Sequence, residues 1–128
     1  MVILDTNIII DHIRQEEGKE TLLIKLVKER PKERLALSVL SIQELYAGKS
    51  TKNRKREAYL LATISLLAIL PYNQKIAQQA GKIMRDLSSP IVFVDAAIAA
   101  TAIENKAELL TLNRKDFENI KELNLIKL

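Results

Sequence analysis

Short apolar runs alternate with helical patterns along the whole chain, and this alternation limits the folds open to it. Runs typical of strands occupy residues 2–4, 35–39, 68–70, 108–111 and 125–128, and a further run at 91–94 is either β-like or an ordered loop. Apolar residues at helical spacing predict helices over residues 7–14, 21–30, 41–48, 53–67, 76–88, 95–105 and 114–121. Such alternation favours an α/β fold, in which one mostly parallel sheet is covered by helices on both faces.

The length and composition predict a single domain. The chain has 128 residues and 48% apolar content, which is ordinary for a globular protein. The absence of cysteine excludes disulfides and thiolate metal sites. No apolar stretch approaches the length that spans a bilayer, and no basic region precedes an apolar core at the N-terminus. We therefore expect a soluble, cytoplasmic protein with no membrane partner.

The charge balance permits an anionic partner. Net charge is +4 and the isoelectric point is near 9.4, so the chain is mildly basic. Aromatic residues make up only 4% of the sequence and tryptophan is absent, which argues against a stacking surface for single-stranded nucleic acid. We expect any nucleic-acid contact to be made mainly with phosphates.

Acidic or amide side chains follow several of the predicted strands. Asp5 follows the first strand, Glu44 falls in the first turn of the helix after the second, and Asp95 follows the run at 91–94 and opens the next helix. Asn113 and Asp116 follow the run at 108–111. Because functional groups in parallel sheets lie at the carboxyl ends of the strands, three or four carboxylates are expected to share one edge.

Helix capping is the alternative role for each of these residues. Ser41 and Glu44 have the spacing of a capping box, and Asp95 and Asn113 are possible N-caps. Asp5 fits a cap less well, because other polar residues beside it would serve. Taken one at a time these residues predict caps, whereas taken together they predict a site.

A cluster of carboxylates calls for a cation. Neighbouring carboxylates repel one another and raise each other's pKa, and a divalent cation removes that conflict. Oxygen ligands without histidine or cysteine suit Mg²⁺ or Mn²⁺, which also bind substrate phosphates. The pattern thus predicts metal-assisted hydrolysis of a phosphodiester.

Four motifs in order along the chain resemble those of PIN domains, and specifically of VapC-type toxin ribonucleases. They are Asp5-Thr6-Asn7, Ser38 with Glu44-Leu45, Asp95-Ala96 with Ile98-Ala99-Ala100, and Thr111-Leu112-Asn113-Arg114-Lys115-Asp116-Phe117. Each motif alone is weak, but the ordered set is specific and covers essentially the whole chain.

The resemblance implies a three-layer α/β/α sandwich with a central, mostly parallel sheet, and RNA cleavage with Mg²⁺ or Mn²⁺. It implies that Asp5, Glu44 and Asp95 are the core acids, with Asp5 and Asp95 as direct metal ligands. It further implies a homodimer, and a VapB-type antitoxin whose tail covers the acidic site.

One position departs from the family pattern, because Asn113 stands where the family often has an acid. We expect Asn113 to orient a water molecule at the metal. Asp116 is then either an additional acid behind the ligands or a helix cap. Thr6, Asn7 and Ser38 are expected to hold the carboxylates or a phosphate by hydrogen bonds, or else to satisfy backbone groups.

A basic stretch follows the Glu44 helix. Five cations fall within eight residues, at Lys49, Lys52, Arg54, Lys55 and Arg56. Such a run is either a solvated face or a phosphate contact that adds affinity without sequence choice. Arg114 and Lys115, inside the last motif, are closer candidates for touching substrate.

Two other functions stay open at this point. A catalytically inactive PIN-like module would bind RNA or a protein, although its acids would then have no task. A phospho-signalling receiver domain is also an α/β unit with acids around Mg²⁺. That class has an acidic pair after the first strand and a lysine at a late strand end, whereas this chain has only Asp5 and then Asn113 at those places.

Overall fold

The computed structural model describes residues 1–15 and 18–128 of the chain. Its strands are β1 (Val2–Leu4), β2 (Leu35–Ser38), β3 (Ala68–Leu70), β4 (Glu108–Leu110) and β5 (Asn124–Leu125). Its helices are α1 (Thr6–Arg14), α2 (Leu22–Glu29), α3 (Val39–Ala47), α4 (Arg54–Ile64), α5 (Gln74–Asp86), α6 (Phe93–Glu104) and α7 (Arg114–Phe117). A short 3-10 turn, Ser50–Lys52, joins α3 to α4.

The five strands form one sheet in the order β3-β2-β1-β4-β5, and every pairing is parallel. The first strand lies in the centre, where Ile3 pairs with Ala36 on one side and Leu109 on the other. The predicted mostly parallel sheet is therefore confirmed. Its central strand ends directly before Asp5, so this acid lies at the middle of the carboxyl edge.

Helices cover both faces of the sheet, because successive strand residues point to opposite sides. In β1, Ile3 packs into one core with Ala36, Leu109 and residues of α5, α6 and α7. Val2 and Leu4 pack into a second core with residues of α1, α2, α3 and α4. Both cores are present in one chain, which confirms the predicted three-layer α/β/α sandwich.

The alanine-rich helix α6 is buried almost all round. Five of its alanines have no exposed surface. The buried Thr101 hydroxyl donates a hydrogen bond to the Ala97 carbonyl at 2.7 Å, so it is not left without a partner. Small side chains let α6 pack closely between the sheet and α5. The buried residues of α6, from Ala96 onward, thereby fix the position of its first turn, which carries Asp95.

Several predicted boundaries are wrong by a few residues. The run at 91–94 forms no strand, because the place beside β1 is taken by β4, and α6 begins within it at Phe93. Val39 leaves β2 and opens α3, because Ser38 caps that helix. Helices α4 and α7 are shorter than predicted, and the last strand lies at Asn124–Leu125.

Within residues 1–15 and 18–128, every helix is too short or too polar to cross a bilayer.

Candidate active site

Four carboxylates lie within electrostatic range of one another at the carboxyl edge of the sheet. Asp5 follows β1, Glu44 lies on α3 after β2, Asp95 lies in the first turn of α6, and Asp116 lies in the first turn of α7 after β4. The predicted convergence follows from the parallel order β2-β1-β4, which places the ends of these strands side by side.

Asp5 is buried and both of its carboxylate oxygens accept hydrogen bonds. Only 4% of the residue is exposed. Oδ1 accepts from the Thr6 backbone N–H at 2.7 Å, and Oδ2 accepts from the Thr111 hydroxyl at 2.7 Å. The Asp5 backbone N–H extends the sheet ladder by donating to the Leu110 carbonyl. The carboxylate is thus fixed in orientation between α1 and β4.

Thr6 holds Glu44 from the other side. Its hydroxyl donates to Glu44 Oε1 at 2.6 Å and lies 2.8 Å from the Ser41 hydroxyl, which is fully buried. Hydrogen bonds to a carboxylate are short and about twice as strong as neutral ones. This contact ties α1 to α3 and gives the more exposed Glu44 a defined position.

Thr111 is the centre of a second set of contacts. Besides donating to Asp5, its hydroxyl oxygen accepts from the Asn113 backbone N–H at 3.0 Å and lies 3.5 Å from Asn7 Nδ2. Asn7 also accepts from the Leu112 backbone N–H, through Oδ1 at 3.3 Å. These bonds anchor the loop between β4 and α7, which carries Asn113 toward the acids.

The acids act on one another's protonation. Burial, followed by the charges of Asp5, Asp116 and Glu44, raises the pKa of Asp95 to about 6. Burial also raises the pKa of Asp5, against the lowering effect of its hydrogen bonds from Thr111 and Thr6. Perturbed carboxylates that share one edge are a recognised mark of functional sites.

None of the ion pairs found in the described residues involves these four acids. Nor does any group of three or more acidic or histidine side chains in that part of the chain have the close spacing of a ready-made metal site. The donor set consists of carboxylate oxygens, with the Asn113 amide beside them, and this chemistry suits a hard divalent cation.

Comparison with known proteins agrees with this geometry. A family model described as the PIN domain matches residues 2–123. The chain belongs to the PIN domain family. It is 35% identical over 127 residues to Ribonuclease VapC19 of Mycobacterium tuberculosis, covering 96% of this chain and 97% of that protein. It is also 32% identical over 126 residues to Ribonuclease VapC10 of the same organism, covering 96% and 90% of the two chains.

The PIN fold of this chain also matches solved structures. A crystal structure of DNA-bound VapBC from Salmonella typhimurium superposes with a TM-score of 0.83 and 26% identity, covering 98% of this chain and 96% of that one. The resemblance predicted from the four motifs is confirmed. Because the chain belongs to the PIN domain family, the alternative of a phospho-signalling receiver domain is wrong.

The PIN chain uses different helix caps from those predicted. Helix α3 is capped by Ser38, whose side chain accepts from Leu40 N–H, so the proposed capping box of Ser41 and Glu44 is wrong. Glu44 lies in the second turn of α3, beyond reach of the helix start. Asp5, in contrast, does occupy the N-cap position of α1, although it accepts from the first helical N–H, that of Thr6.

Two other predicted caps also differ. Asp95 is the third residue of α6 and not its N-cap, which is Val92. A carboxylate in the first turn still complements the partial positive charge of the helix start. Asn113 occupies the N-cap position of α7, but its side chain makes no capping bond. The Asn113 amide is therefore left exposed at the acidic edge.

The cationic candidates have different surroundings. The Arg114 guanidinium donates to the Ile126 carbonyl at 2.8 Å, which gives it a structural role near the end of the chain. Lys115 is exposed on α7, one residue before Asp116. Lys49, Lys52 and Arg54 are exposed on and around the 3-10 turn that packs against α3 and α4.

Sequence reasoning gave no site role to Thr111, and it gave Ser41 only a cap. Both hydroxyls are buried, and both contact residues of the first motif that lie far away in sequence. For Thr111 a signal existed, because it directly follows the last apolar residue of a strand, as Asp5 does. No local sequence pattern predicts the contact between Ser41 and Thr6.

Proposed function

We propose that this chain is a divalent-metal-dependent endoribonuclease and the toxin of a type II toxin–antitoxin pair. The observation that carries the proposal is the set of four carboxylates at one sheet edge, where burial and the charges of the neighbouring acids raise the pKa of Asp95 to about 6. Relatives named as ribonucleases and its place in the PIN family support an RNA phosphodiester as the substrate.

Asp5, Asp95 and Glu44 are the residues that would hold Mg²⁺ or Mn²⁺, with Asp5 and Asp95 as direct ligands. When bound, such a cation lowers the pKa of water and offsets negative charge on the phosphate oxygens. The protein contributes a rigid arrangement of anionic oxygens that is costly without a cation and stable with one.

Hydrogen-bonding residues keep these ligands oriented. Thr111 and the Thr6 backbone N–H fix the two oxygens of Asp5, and the Thr6 hydroxyl fixes Glu44. Partners of this kind maintain ligand geometry and typically contribute about 10- to 100-fold to metal affinity or activity. The Ser38 hydroxyl caps α3 by accepting from the Leu40 N–H, so its contribution is structural.

Asn113 and Asp116 complete the edge on the side of β4. The exposed Asn113 amide has a donor and an acceptor with which to orient the attacking water. Asp116 adds negative charge that acts on both Asp5 and Asp95. We assign it the role of an additional acid behind the ligands.

Cationic side chains beside the acids would hold the RNA backbone. Lys115 is the closest candidate in sequence to the acids, and Lys49, Lys52 and Arg54 form an exposed group after α3. Phosphate contacts of this kind give affinity that falls with salt and carries no base preference.

The toxin role supplies the remaining partners. Solved structures similar to this chain include a toxin–antitoxin complex from Klebsiella pneumoniae, at 27% identity, and the DNA-bound VapBC complex. We propose a VapB-type antitoxin as the partner, a homodimer as the assembly and the cytoplasm as the site of action.

A metal-dependence assay tests the nuclease proposal. Purified chain is incubated with structured RNAs in Mg²⁺, in Mn²⁺ and in EDTA, beside an Asp5→Asn variant purified in the same way. The expected result is cleavage that requires the cation and that Asp5→Asn abolishes, because the amide cannot supply an anionic ligand.

Equal cutting by wild type and variant with Mn²⁺ would show a contaminating nuclease and refute the proposal. Specific RNA binding without any cleavage would favour the inactive-module alternative. That alternative draws on Asn113, since this position lacks the acid that the family often has.

A further inference from the structure

Two aromatic rings lie together beside the acidic edge. Phe93 and Tyr72 have ring centroids 6.5 Å apart and planes tilted by 55°, within the range of interacting aromatic pairs. The low aromatic content argued against a stacking surface, but position matters more than number. Neither ring has a part in the proposed catalysis.

The chain topology places both rings on the same side of the sheet as the acids. Tyr72 follows the carboxyl end of β3, the strand beside β2. Phe93 is the first residue of α6 and precedes Asp95 by two. Helix geometry puts the Cα atoms of Phe93 and Asp95 about 5–6 Å apart. Side chains two apart on a helix leave it in different directions, so a nucleotide whose phosphate lies at Asp95 would bring a neighbouring base to these rings by passing round the start of α6.

Phe93 is exposed in a chain that otherwise hides its phenylalanine. It is 62% exposed and the preceding Val92 is 65% exposed, whereas Phe117 is fully buried. Tyr72 is half-buried and packs against the core, so it backs the outer ring with a fixed partner. An exposed ring supported from behind, two residues before Asp95 at the start of α6, is available for contact with a ligand.

The size of this patch favours a base over a protein partner. Among the described residues, the exposed apolar side chains at the start of α6 are Val92 and Phe93, with Tyr72 behind them, whereas a stable protein interface needs about 20–30 residues a side. Every nucleobase has a π-face that stacks on an aromatic ring, and such stacking contributes about 1–3 kcal/mol per base.

We infer that Phe93, backed by Tyr72, stacks on an unpaired RNA base next to the phosphate held at Asp95. This inference rests on the proposed function and deepens it, because it makes a single-stranded RNA segment the substrate at the point of cleavage.

The test uses full-length chain carrying Asp5→Asn, with Mg²⁺ present, so that RNA is bound without being cut. The probe is a single-stranded oligouridylate of about 12 nucleotides, within the site sizes of single-strand binders. One 2-aminopurine, whose fluorescence falls on stacking, is moved through it position by position. With Phe93 intact, binding should quench 2-aminopurine at internal positions, because a uridine homopolymer binds in several registers. Phe93→Ala should abolish that quenching and raise Kd about fivefold or more.

Matched variants separate a ring from mere bulk. Phe93→Tyr should keep the quenching, whereas Phe93→Leu should lose it while preserving an apolar side chain. Leu66→Ala removes an exposed apolar residue between α4 and β3, and should change neither quenching nor Kd. Thermal melting and light scattering on each variant check folding and molecular mass.

Three results would overturn the inference. They are the absence of any Phe93-dependent quenching, a Phe93→Leu variant that behaves like wild type, and a Phe93→Ala variant that dissociates a larger assembly into monomers. The last would make the patch an interface with a second copy. If the chain cleaves no RNA yet quenching depends on Phe93, the nuclease proposal fails and the base contact stands.

Discussion

Acidic side chains lie at both ends of the parallel strands, the amino edge and the carboxyl edge of the sheet, but their binding partners differ in charge. At the amino edge, Glu33 contacts the Met1 amine at 3.0 Å and Arg30 at 3.4 Å, and Arg30 also contacts Glu108 at 2.6 Å. At the carboxyl edge, Asp5 and Glu44 are bound by hydroxyls and a backbone N–H, with no cation among their contacts in residues 1–15 and 18–128.

The protonation equilibria of the two edges differ accordingly. A hydrogen bond from the Met1 amine, helped by Arg30, lowers the pKa of Glu33. Burial and neighbouring acids raise the pKa of Asp95 to about 6. The amino edge is balanced by the protein itself and serves the fold. The carboxyl edge is left in need of positive charge, which a catalytic cation would supply.

The largest expected contrast is in activity. Asp95→Asn should lower the rate of RNA cleavage by about 100-fold or more, because it weakens cation binding that supplies several kcal/mol at the transition state. Glu33→Gln removes an acid from the opposite edge and should leave the rate within about twofold. Single-turnover cleavage at saturating enzyme measures both. An equal loss of cleavage rate in the two variants would show that the two edges do not differ in function.

The sequence predicted which acids converge, because in a parallel sheet strand-end position alone determines the edge. It did not predict what holds them. Thr111 and Asp5 are 106 residues apart, and Thr6 and Glu44 are 38 apart, so no local spacing encodes either bond.

The wrong predictions have a similar cause. Ser41 and Glu44 satisfy the local capping rule, but Ser38 lies at the strand end and takes the cap first. The run at 91–94 is predicted to be β-like or an ordered loop, but α6 begins within it at Phe93, and β1 is paired on both sides by β2 and β4.

The Thr111 hydroxyl offers the next largest effect. Thr111→Val should reduce cleavage by about 10- to 100-fold, since it frees one oxygen of a ligand carboxylate. It should also destabilise the fold by about 1–3 kcal/mol, because Asp5 stays buried with a bond unmade. Thr111→Ser keeps the hydroxyl and is the matched control. Denaturant unfolding and cleavage rates are measured together; a serine variant as defective as valine would mean that the methyl group, not the bond, matters.

The pH dependence of cleavage follows from Asp95. At limiting cation, activity should fall about tenfold between pH 7 and pH 5, because protonation of a group with pKa about 6 removes the anionic ligand. Raising the cation concentration should move the midpoint to lower pH, since the cation competes with the proton. If the pH midpoint of cleavage did not change with cation concentration, the titrating group would be one other than Asp95.

The smallest effect is on stability and has opposite signs at the two edges. The pKa of Asp95 is raised above its ordinary 3.8, so its favourable contribution exists below that pH and is lost as pH rises through about 6. In EDTA at pH 7, Asp95→Asn should therefore raise Tm, with the gain vanishing below about pH 4.

The pKa of Glu33 is lowered from 4.5, so its contribution exists above that pH and is lost on acidification. Glu33→Gln should lower Tm at pH 7, with the difference fading as pH falls below about 4.5. Calorimetry of both variants across this range checks the pair. A common sign would show that the acids of both edges are equally well compensated.

The bond between Asp5 and Thr111 has a consequence for how the protein is made. The first strand is the centre of the sheet, yet one of its two neighbours and the hydroxyl that secures its acid are synthesised more than a hundred residues later. A polypeptide that ends between residues 95 and 108, through stalled translation or cleavage by a protease, carries Asp5, Glu44 and Asp95 but lacks the strand and the hydroxyl that set Asp5 in place. The order of elements along the chain thus leaves Asp5 without its Thr111 hydrogen bond until residue 111 has been made.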